Sequence, residues 1–216
     1  MAEQKNITDP FNSIAISMPV ANIKITTSNA EICMVKYHEK FKQAFAPIVI
    51  DNTLIVKDNR KWYHHILPNP TTPQIDIILP TTQYENLRIK CKSGNIELAS
   101  INCKDVILNT KTGKILLNDI NCHSVESKGS TGSISLKNVI SKEKIKIIRN
   151  TGSIFFEDCE AFDIFTKTNT GNINGTLLSS KTFIVKSKSG KIDIPENAEP
   201  RCEAISNTGK ISFKIK

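Results

Sequence analysis

Four kinds of residue in this chain could carry chemistry. Carboxylates come first. Nine of the thirteen acids in residues 86–216 (Asp105, Asp119, Glu143, Glu157, Asp158, Glu160, Asp163, Glu196 and Glu199) fall in one window of a repeating register. Acids converging on an outer groove are what a glycosidase or lyase requires. Lys104, Lys137, Lys142, Lys181 and Arg201 are mixed among them, however, and such interleaving reads as a solvated turn region of mixed charge. Six cysteines, Cys33, Cys91, Cys103, Cys122, Cys159 and Cys202, form no CxxC pair. Cys103 and Cys122 share a register position, where a disulfide or a weak metal site with His123 is conceivable; small reduced core residues are the competing reading. The histidines His38, His64, His65 and His123 lie in no HExxH or Ser-His-Asp pattern. His64 and His65 follow Trp62 and Tyr63 in a proline-bounded stretch, which reads as a ligand contact or as a packing cluster in a cap. There is no GxGxxG and no phosphate-binding loop. The expectation is a protein with no enzymatic activity, no cofactor and no metal.

The fourth kind is lysine, and its distribution is the most informative surface feature. The chain of 216 residues has 29 Lys+Arg against 21 Asp+Glu, a formal charge of +8. Residues 1–85 hold 8 basic and 8 acidic side chains, so the whole excess lies in 86–216. Ten lysines there, Lys90, Lys92, Lys111, Lys114, Lys128, Lys167, Lys186, Lys188, Lys191 and Lys210, flank a recurring Ser/Thr-Gly dipeptide at positions −4, −2 and +1 from the glycine. Those positions give 21 sites, of which ten are Lys, nine Asn or Ser, two Ile and none acidic. Two readings stand: a face for an anionic partner, or lysines that keep the molecule soluble and its strand edges unpaired. Arginine is nearly absent from the stripe and aromatic residues do not interleave it, which argues against nucleic acid.

What must position these residues is a repeat. A Ser/Thr-Gly-x-Ile motif occurs at Gly94, Gly113, Gly132, Gly152, Gly171, Gly190 and Gly209, spaced by 19, 19, 20, 19, 19 and 19 residues. Within each unit apolar residues alternate, which is strand periodicity. The unit is too short for a propeller blade and lacks the leucine-rich signature. It suits one coil of a parallel β-helix with three short strands, each hydrogen-bonded to its copies about 4.8 Å above and below. The +2 residues Ile96, Ile115, Ile134, Ile154, Ile173, Ile192 and Ile211 then stack into one core column, each burial worth roughly 1.5–3 kcal/mol. Glycine lets the chain turn the corner with positive φ. Gly175 stands where other coils carry a large residue and follows Phe156 by one coil, which predicts small-beside-large packing. The Thr166, Thr168, Thr170 alternation has an inward register.

Seven of nine prolines lie in residues 1–80 and all nine glycines at or after Gly94. The organisation read from this is one continuous domain: residues 1–85 an irregular N-terminal cap with degenerate first coils, residues 86–216 regular repeats. Ser28-Asn29 is expected in the place of a Ser/Thr-Gly corner, a hairpin is expected around Asp51-Asn52, and KYHEKFKQAFA (36–46) as a short helix or loop. Ile107, Ile148, Phe155, Phe165, Ile184 and Ile205 are expected to face outward, Phe165 and Ile184 on neighbouring coils.

The run IDIILPTTQYENLRIKCKSGNIEL followed by repeated [ST]G-x-I-x-[LF] units, with NIKITTSN and TLIVKDNRKW upstream, resembles the bacterial "putative adhesin" β-strand-repeat family of unknown function. The resemblance covers roughly residues 14–216. It implies a β-solenoid and brings no catalytic residues with it.

The fold expected is therefore all-β: a single-stranded parallel β-helix, or solenoid, of about 19-residue coils, right-handed by preference. The function expected is a non-enzymatic binding or scaffold module, adhesin-like or engaging anionic surfaces through the lysine stripe. An anionic membrane surface and a polyanionic glycopolymer are its candidate partners. The alternatives are a carbohydrate-active β-helix enzyme and a self-assembling scaffold resembling bactofilins, the latter because the final strand ISFKIK leaves an open solenoid end for self-association. The first twenty residues lack the pattern of a signal peptide and no stretch of 18 apolar residues occurs. The location expected is cytoplasmic, or associated with a membrane or envelope.

Overall fold

A computed structural model of the protein describes residues 2–38, 47–58, 72–196 and 199–216. Its N-terminal strands are β1 (Ala2–Ile7), β2 (Ser13–Val20), β3 (Asn22–Ser28), β4 (Cys33–His38), β5 (Ile48–Ile50), β6 (Thr53–Lys57) and β7 (Gln74–Pro80). The central strands are β8 (Gln83–Ser93), β9 (Ile96–Thr112), β10 (Ile115–Thr131), β11 (Ile134–Thr151) and β12 (Ile154–Thr170). The last are β13 (Ile173–Leu177), β14 (Thr182–Ser189), β15 (Ile192–Asp193), β16 (Arg201–Thr208) and β17 (Ile211–Ile215). Among the described residues there is no helix. Lys36–His38 complete β4; residues 39–46 of the expected helix or loop, and Trp62 to His65, lie outside the described residues.

From β9 to β12 each strand begins at the +2 isoleucine and runs one whole coil to the next Thr-Gly. Its neighbours pair parallel and in register, Ile96↔Ile115↔Ile134↔Ile154. Alternate side chains point inward, so these isoleucines, Leu98, Leu117, Leu136 and the column Val106, Val125, Ile145, Ile164 are all buried. The extra residue in β11 is absorbed at Ser141–Lys144, where the register shifts, and Ile145 returns to its place opposite Val125.

Two corners bend each coil. At the first, φ is +132° at Gly94 and +140° at Gly113, and a Cβ on Gly113 would lie 1.9 Å from the carbonyl oxygen of Gly94. Stacked glycines bring backbone onto backbone, so no side chain fits. The second corner, six residues on, has no glycine: Ser100, Asp119, Asn138 and Asp158 adopt φ of 51–58°. Asn and Asp tolerate this left-handed region better than other residues with a side chain. Two of the nine clustered acids, Asp119 and Asp158, thus sit where the backbone needs them.

The ends depart from chain order. At one end β2 pairs with both β6 and β8, and β3 with both β7 and β9. The segment 13–28 is therefore inserted between strands that follow it in sequence. Val20-Ala21-Asn22-Ile23 lies on Ser93-Gly94-Asn95-Ile96, with Val20 opposite Ser93 and Ile23 opposite Ile96. The corner equivalent is Ala21, and Ser28 pairs instead with Pro80, which corrects the expected role of Ser28-Asn29. The β5–β6 hairpin turns at Asp51 and Asn52, both with positive φ, as expected.

At the other end β16 lies between β12 and β14, and β17 between β13 and β15. The isoleucine column runs Ile154, Ile173, Ile211, Ile192. Ile211 is wholly buried and Ile192 is 42% exposed. ISFKIK is consequently an interior strand, and the edge is β14–β15. Phe165 and Ile184 are separated by Glu203, which pairs with both; they are not on neighbouring coils as expected. Phe213 explains the order. Gly175 stands between Phe156 and Phe213 in the ladder, and the two rings lean over it with centroids 5.9 Å apart, while Phe183 closes to 5.5 Å of Phe213. In β13 the register shifts between Phe156 and Cys159, which leaves Leu177 buried opposite Cys159 and Leu178 exposed.

Candidate binding face

The stripe is where the sequence placed it. All ten lysines are exposed, because −4, −2 and +1 are the outward positions either side of the glycine corner. Between them the amides and hydroxyls bond to one another and to the backbone. Asn95 Oδ1 accepts from Lys114 N at 3.0 Å, and Asn172 Oδ1 from Lys210 N at 2.9 Å. Asn169 donates to Asn150 at 2.5 Å. These bonds tie coil to coil and leave the ammonium groups as the corner's only charges. Lys210 approaches Asp193 at 3.8 Å. No ion pair among the described residues engages Lys90, Lys92, Lys111 or Lys128. Those four line a shallow groove of about 420 Å³ whose floor includes Thr110 and Gly129.

The order of stacking divides the lysines. Lys90, Lys92, Lys111, Lys114 and Lys128 gather towards the N-terminal end. Lys186, Lys188 and Lys191 lie on or beside the outermost strands β14 and β15. Lys167, Asn150 and Asn169 occupy the middle, and Lys210 directly precedes β17.

The acidic positions behave differently. Lys137 pairs with Glu157 at 2.6 Å, Lys144 with Glu126 at 3.1 Å, His123 with Glu143 at 3.0 Å and Arg201 with Asp163 at 3.5 Å. The buried Lys181 pairs with Glu160 and donates to the Ala161 carbonyl at 2.9 Å. Lys216 holds Asp158; that contact, with a hydrogen bond from Thr176, keeps the Asp158 carboxyl below its ordinary range. Glu126, Glu157, Asp158, Glu160 and Asp163 are thus each held by a lysine or arginine, whereas Asp105 accepts from Ser124 Oγ at 2.6 Å and Asp119 from Asn138 at 2.8 Å.

All six cysteines are free and buried. Cys103 and Cys122 are ladder partners, and His123, turned outward to Glu143, does not join them. Burial raises the thiols, Cys103 to about 12 and Cys122 to about 11. Thr166 and Thr168 are wholly buried, Thr168 donating to the Gly152 carbonyl at 3.0 Å.

Arg149 was not singled out by sequence reasoning. It occupies the inward position three residues before the corner glycine, where other coils carry Cys91, Thr110, Thr168 and Ser206. The residue is 2% exposed; its guanidinium donates from Nη2 to Ser127 Oγ at 2.8 Å, while Nε and Nη1 have no partner. Desolvation lowers it to about 10, so it remains charged at neutral pH. The space it fills is left by Ser127 and Gly129 one coil away: a Cβ on Gly129 would lie 2.0 Å from Nη1. That pair of small residues opposite an arginine is the signal that the repeat pattern obscured.

A regular parallel-strand array with buried side-chain ladders and a charged outer corner defines an all-β solenoid-like repeat protein. Its family follows directly: the model for Toastrack DUF4097 matches residues 11–215, and the chain belongs to that family of unknown function. A crystal structure described as a "putative adhesin" from Bacteroides fragilis is similar over 100% of this chain and 97% of its own, with a TM-score of 0.59 and 18% identity. A "putative cell adhesion protein" from Clostridium sporogenes covers 100% of both chains at a TM-score of 0.43 and 12% identity. A further "putative adhesin", from Parabacteroides distasonis, covers 98% of this chain and 97% of its own at 0.42 and 14%. Among curated proteins none matches the chain. No helix among the described residues is long and apolar enough to cross a membrane.

Proposed function

We propose that the protein is a non-catalytic binding module, a right-handed solenoid of 19-residue coils whose lysine corner engages anionic surfaces. The observation that carries this is the sorting of charge: ten exposed lysines and no acid at the outward corner positions, against carboxylates interleaved with lysine and arginine elsewhere. A solubility role alone would not require that separation, since interspersed charges of both signs serve solubility as well. The attraction is the sum of many weak contacts, each lysine near an acidic lipid surface worth about 1 kcal/mol and screened beyond about 8 Å at physiological salt.

The test is co-sedimentation with vesicles containing acidic lipid, beside a pull-down on a polyanionic glycopolymer. Binding to at least one should fall steeply with salt. Changing Lys90, Lys92, Lys111, Lys114, Lys186, Lys188 and Lys191 together to Gln should weaken it with the fold intact, because all seven side chains are exposed. Equal binding by the wild type and the seven-Gln variant at low salt would reduce the stripe to a solubility feature.

A further inference from the structure

The lysine corner is not uniform, and Arg149 marks one point on it. Thr110, Gly129 and Arg149 share the inward register position on successive coils. Outside this part of the wall Lys90, Lys92, Lys111 and Lys128 line the groove, with Asn109, Ser130 and Ile148 between them. Inside, Arg149 Nη1 lies against the inner side of Gly129, where a Cβ on that residue would fall 2.0 Å from it. The wall here is a single strand layer with no side chain on the inner face of Gly129. Five positive charges therefore bear on one groove, four from water and one from the lumen.

The inner charge differs in kind from the outer four. A surface lysine is screened by water and salt and is replaceable by its neighbours. A buried guanidinium keeps its field, because little polarisable solvent lies between it and the groove floor. It is also costly where it is. Two of its three nitrogens lack partners, and no carboxylate among the described residues pairs with it. A buried charge is normally paired or coordinated. An anion in the groove would offset that charge through the thin wall.

We infer that the groove over Gly129 is a discrete site for a phosphate group, held from outside by Lys90, Lys92, Lys111 and Lys128 and drawn from inside by Arg149. Phosphate suits it better than carboxylate. Compact ammonium groups bind phosphate as point charges, and converging cations favour an oxyanion of more than one charge over a singly charged one. The site deepens the reading of the lysine corner as an anion-binding face and rests on it. It predicts one preferred point along the corner, where that reading alone predicts a graded stripe.

The experiment is a titration of the full chain with inorganic pyrophosphate, followed by amide chemical shifts and by affinity, at fixed ionic strength. In the wild type the largest shifts should fall on 109–111 and 128–130. Lys111→Gln with Lys128→Gln should weaken binding at least tenfold. Arg149→Met, which fills the lumen without charge, should weaken it about five- to tenfold, the scale of one poorly screened charge. Arg149→Lys should stay within about twofold of wild type. The triple change of Lys186, Lys188 and Lys191 to Gln should leave it unaltered. Vesicles of phosphatidic acid and of phosphatidylserine, matched in charge, distinguish the source. Competition by pyrophosphate against the former only assigns the site to a lipid phosphomonoester, and competition against neither assigns it to free phosphate.

Shifts spread evenly along the corner, or an equal loss from the Lys186–Lys191 triple, would overturn the site and leave the general reading standing. Should Arg149→Met not fold, the wild-type shift map and the two lysine variants still decide. If neither the wild type nor any variant binds pyrophosphate, and vesicle binding survives the seven-Gln change, both fail.

Discussion

The middle of the molecule and its two ends are built from the same repeat and assembled by different rules. From β9 to β12 each coil stacks on the one before it in sequence. At either end a terminal segment returns and is inserted between strands already in the array: β2–β3 between β6–β7 and β8–β9, and β16–β17 between β12–β13 and β14–β15. A solenoid grown only in chain order would leave its last strand as an unpaired edge, a template for aggregation. Here the last strand is paired on both sides at Ile211 and Ser212, and the outermost pair, β14–β15, carries Lys186, Lys188 and Lys191 on or beside it. Lysines on an exposed edge resist further strand addition, so those three serve the edge as well as the corner.

The isoleucine column gives the sharpest contrast between the two regions. Ile154→Asp would place a carboxylate among wholly buried side chains with no partner, and the chain should fail to fold or open locally. Ile154→Ala should cost about 2–5 kcal/mol. The same changes at Ile192, identical in motif but 42% exposed, should cost well under about 1 kcal/mol. Denaturant midpoints of the four variants measure the comparison, and equal losses at the two positions would erase it.

Next in size is Phe213. Were ISFKIK the open end, truncating this ring would matter little. As an interior residue, 2% exposed and packed against Phe156 and Phe183, Phe213→Ala should cost about 3–5 kcal/mol, close to the loss from Phe156→Ala in the central array. A loss below about 1 kcal/mol would return the strand to the edge.

The thiols give a qualitative version of the same test. Cys91, Cys103, Cys122 and Cys159 belong to the regular coils, Cys202 to inserted β16 and Cys33 to the N-terminal end. Burial holds Cys33, Cys103 and Cys202 at about 12 and Cys122 and Cys159 at about 11. A thiol-specific reagent at about pH 8, near the ordinary thiol range, should label none of the six in the folded protein and all of them in denaturant. Rapid labelling of Cys202 alone would mean that β16 leaves its slot readily.

The smallest effect expected is at the contact between Lys216 and Asp158, which ties the last strand to the central array. The Asp158 carboxyl is held below its ordinary value of 3.8, so its contribution is present above that pH and is lost as pH falls through the lowered value. Asp158→Asn should lower stability slightly at neutral pH and leave it unchanged below the lowered pKa, so that the acid limb flattens. An unaltered acid limb would mean that the contact contributes nothing.

The unit of this fold was legible in the sequence and its assembly was not. Seven Ser/Thr-Gly-x-Ile motifs fixed the corner, the inward columns and the outward lysines, because those depend on alternation within one coil. Stacking order depends on which coil meets which, and coils that share a motif compete almost equally for the same partner. The tie is broken by a few large or small residues, Phe213 over Gly175 above all. Ala21 was missed because a methyl replaces the expected glycine, although Asn22-Ile23 repeats Asn95-Ile96. Asp119 and Asp158 read as chemistry because their φ cannot be seen in composition. Arg149 was hidden for the opposite reason: its position varies from coil to coil, and only the gap at Ser127 and Gly129 announces it.

Native-state hydrogen exchange, resolved by residue, tests the inserted architecture most directly. Amides of Ile211 and Ser212, between β13 and β15, and of Cys202–Thr208, between β12 and β14, should exchange on the slow timescale of β10 and β11. Amides of Thr182–Ser189 and Ile192–Asp193, on the outer edge, should exchange far sooner. The reverse order, slow exchange in Thr182–Asp193 and fast exchange in Cys202–Thr208 and Ile211–Ser212, would contradict the insertion and restore a solenoid stacked in chain order.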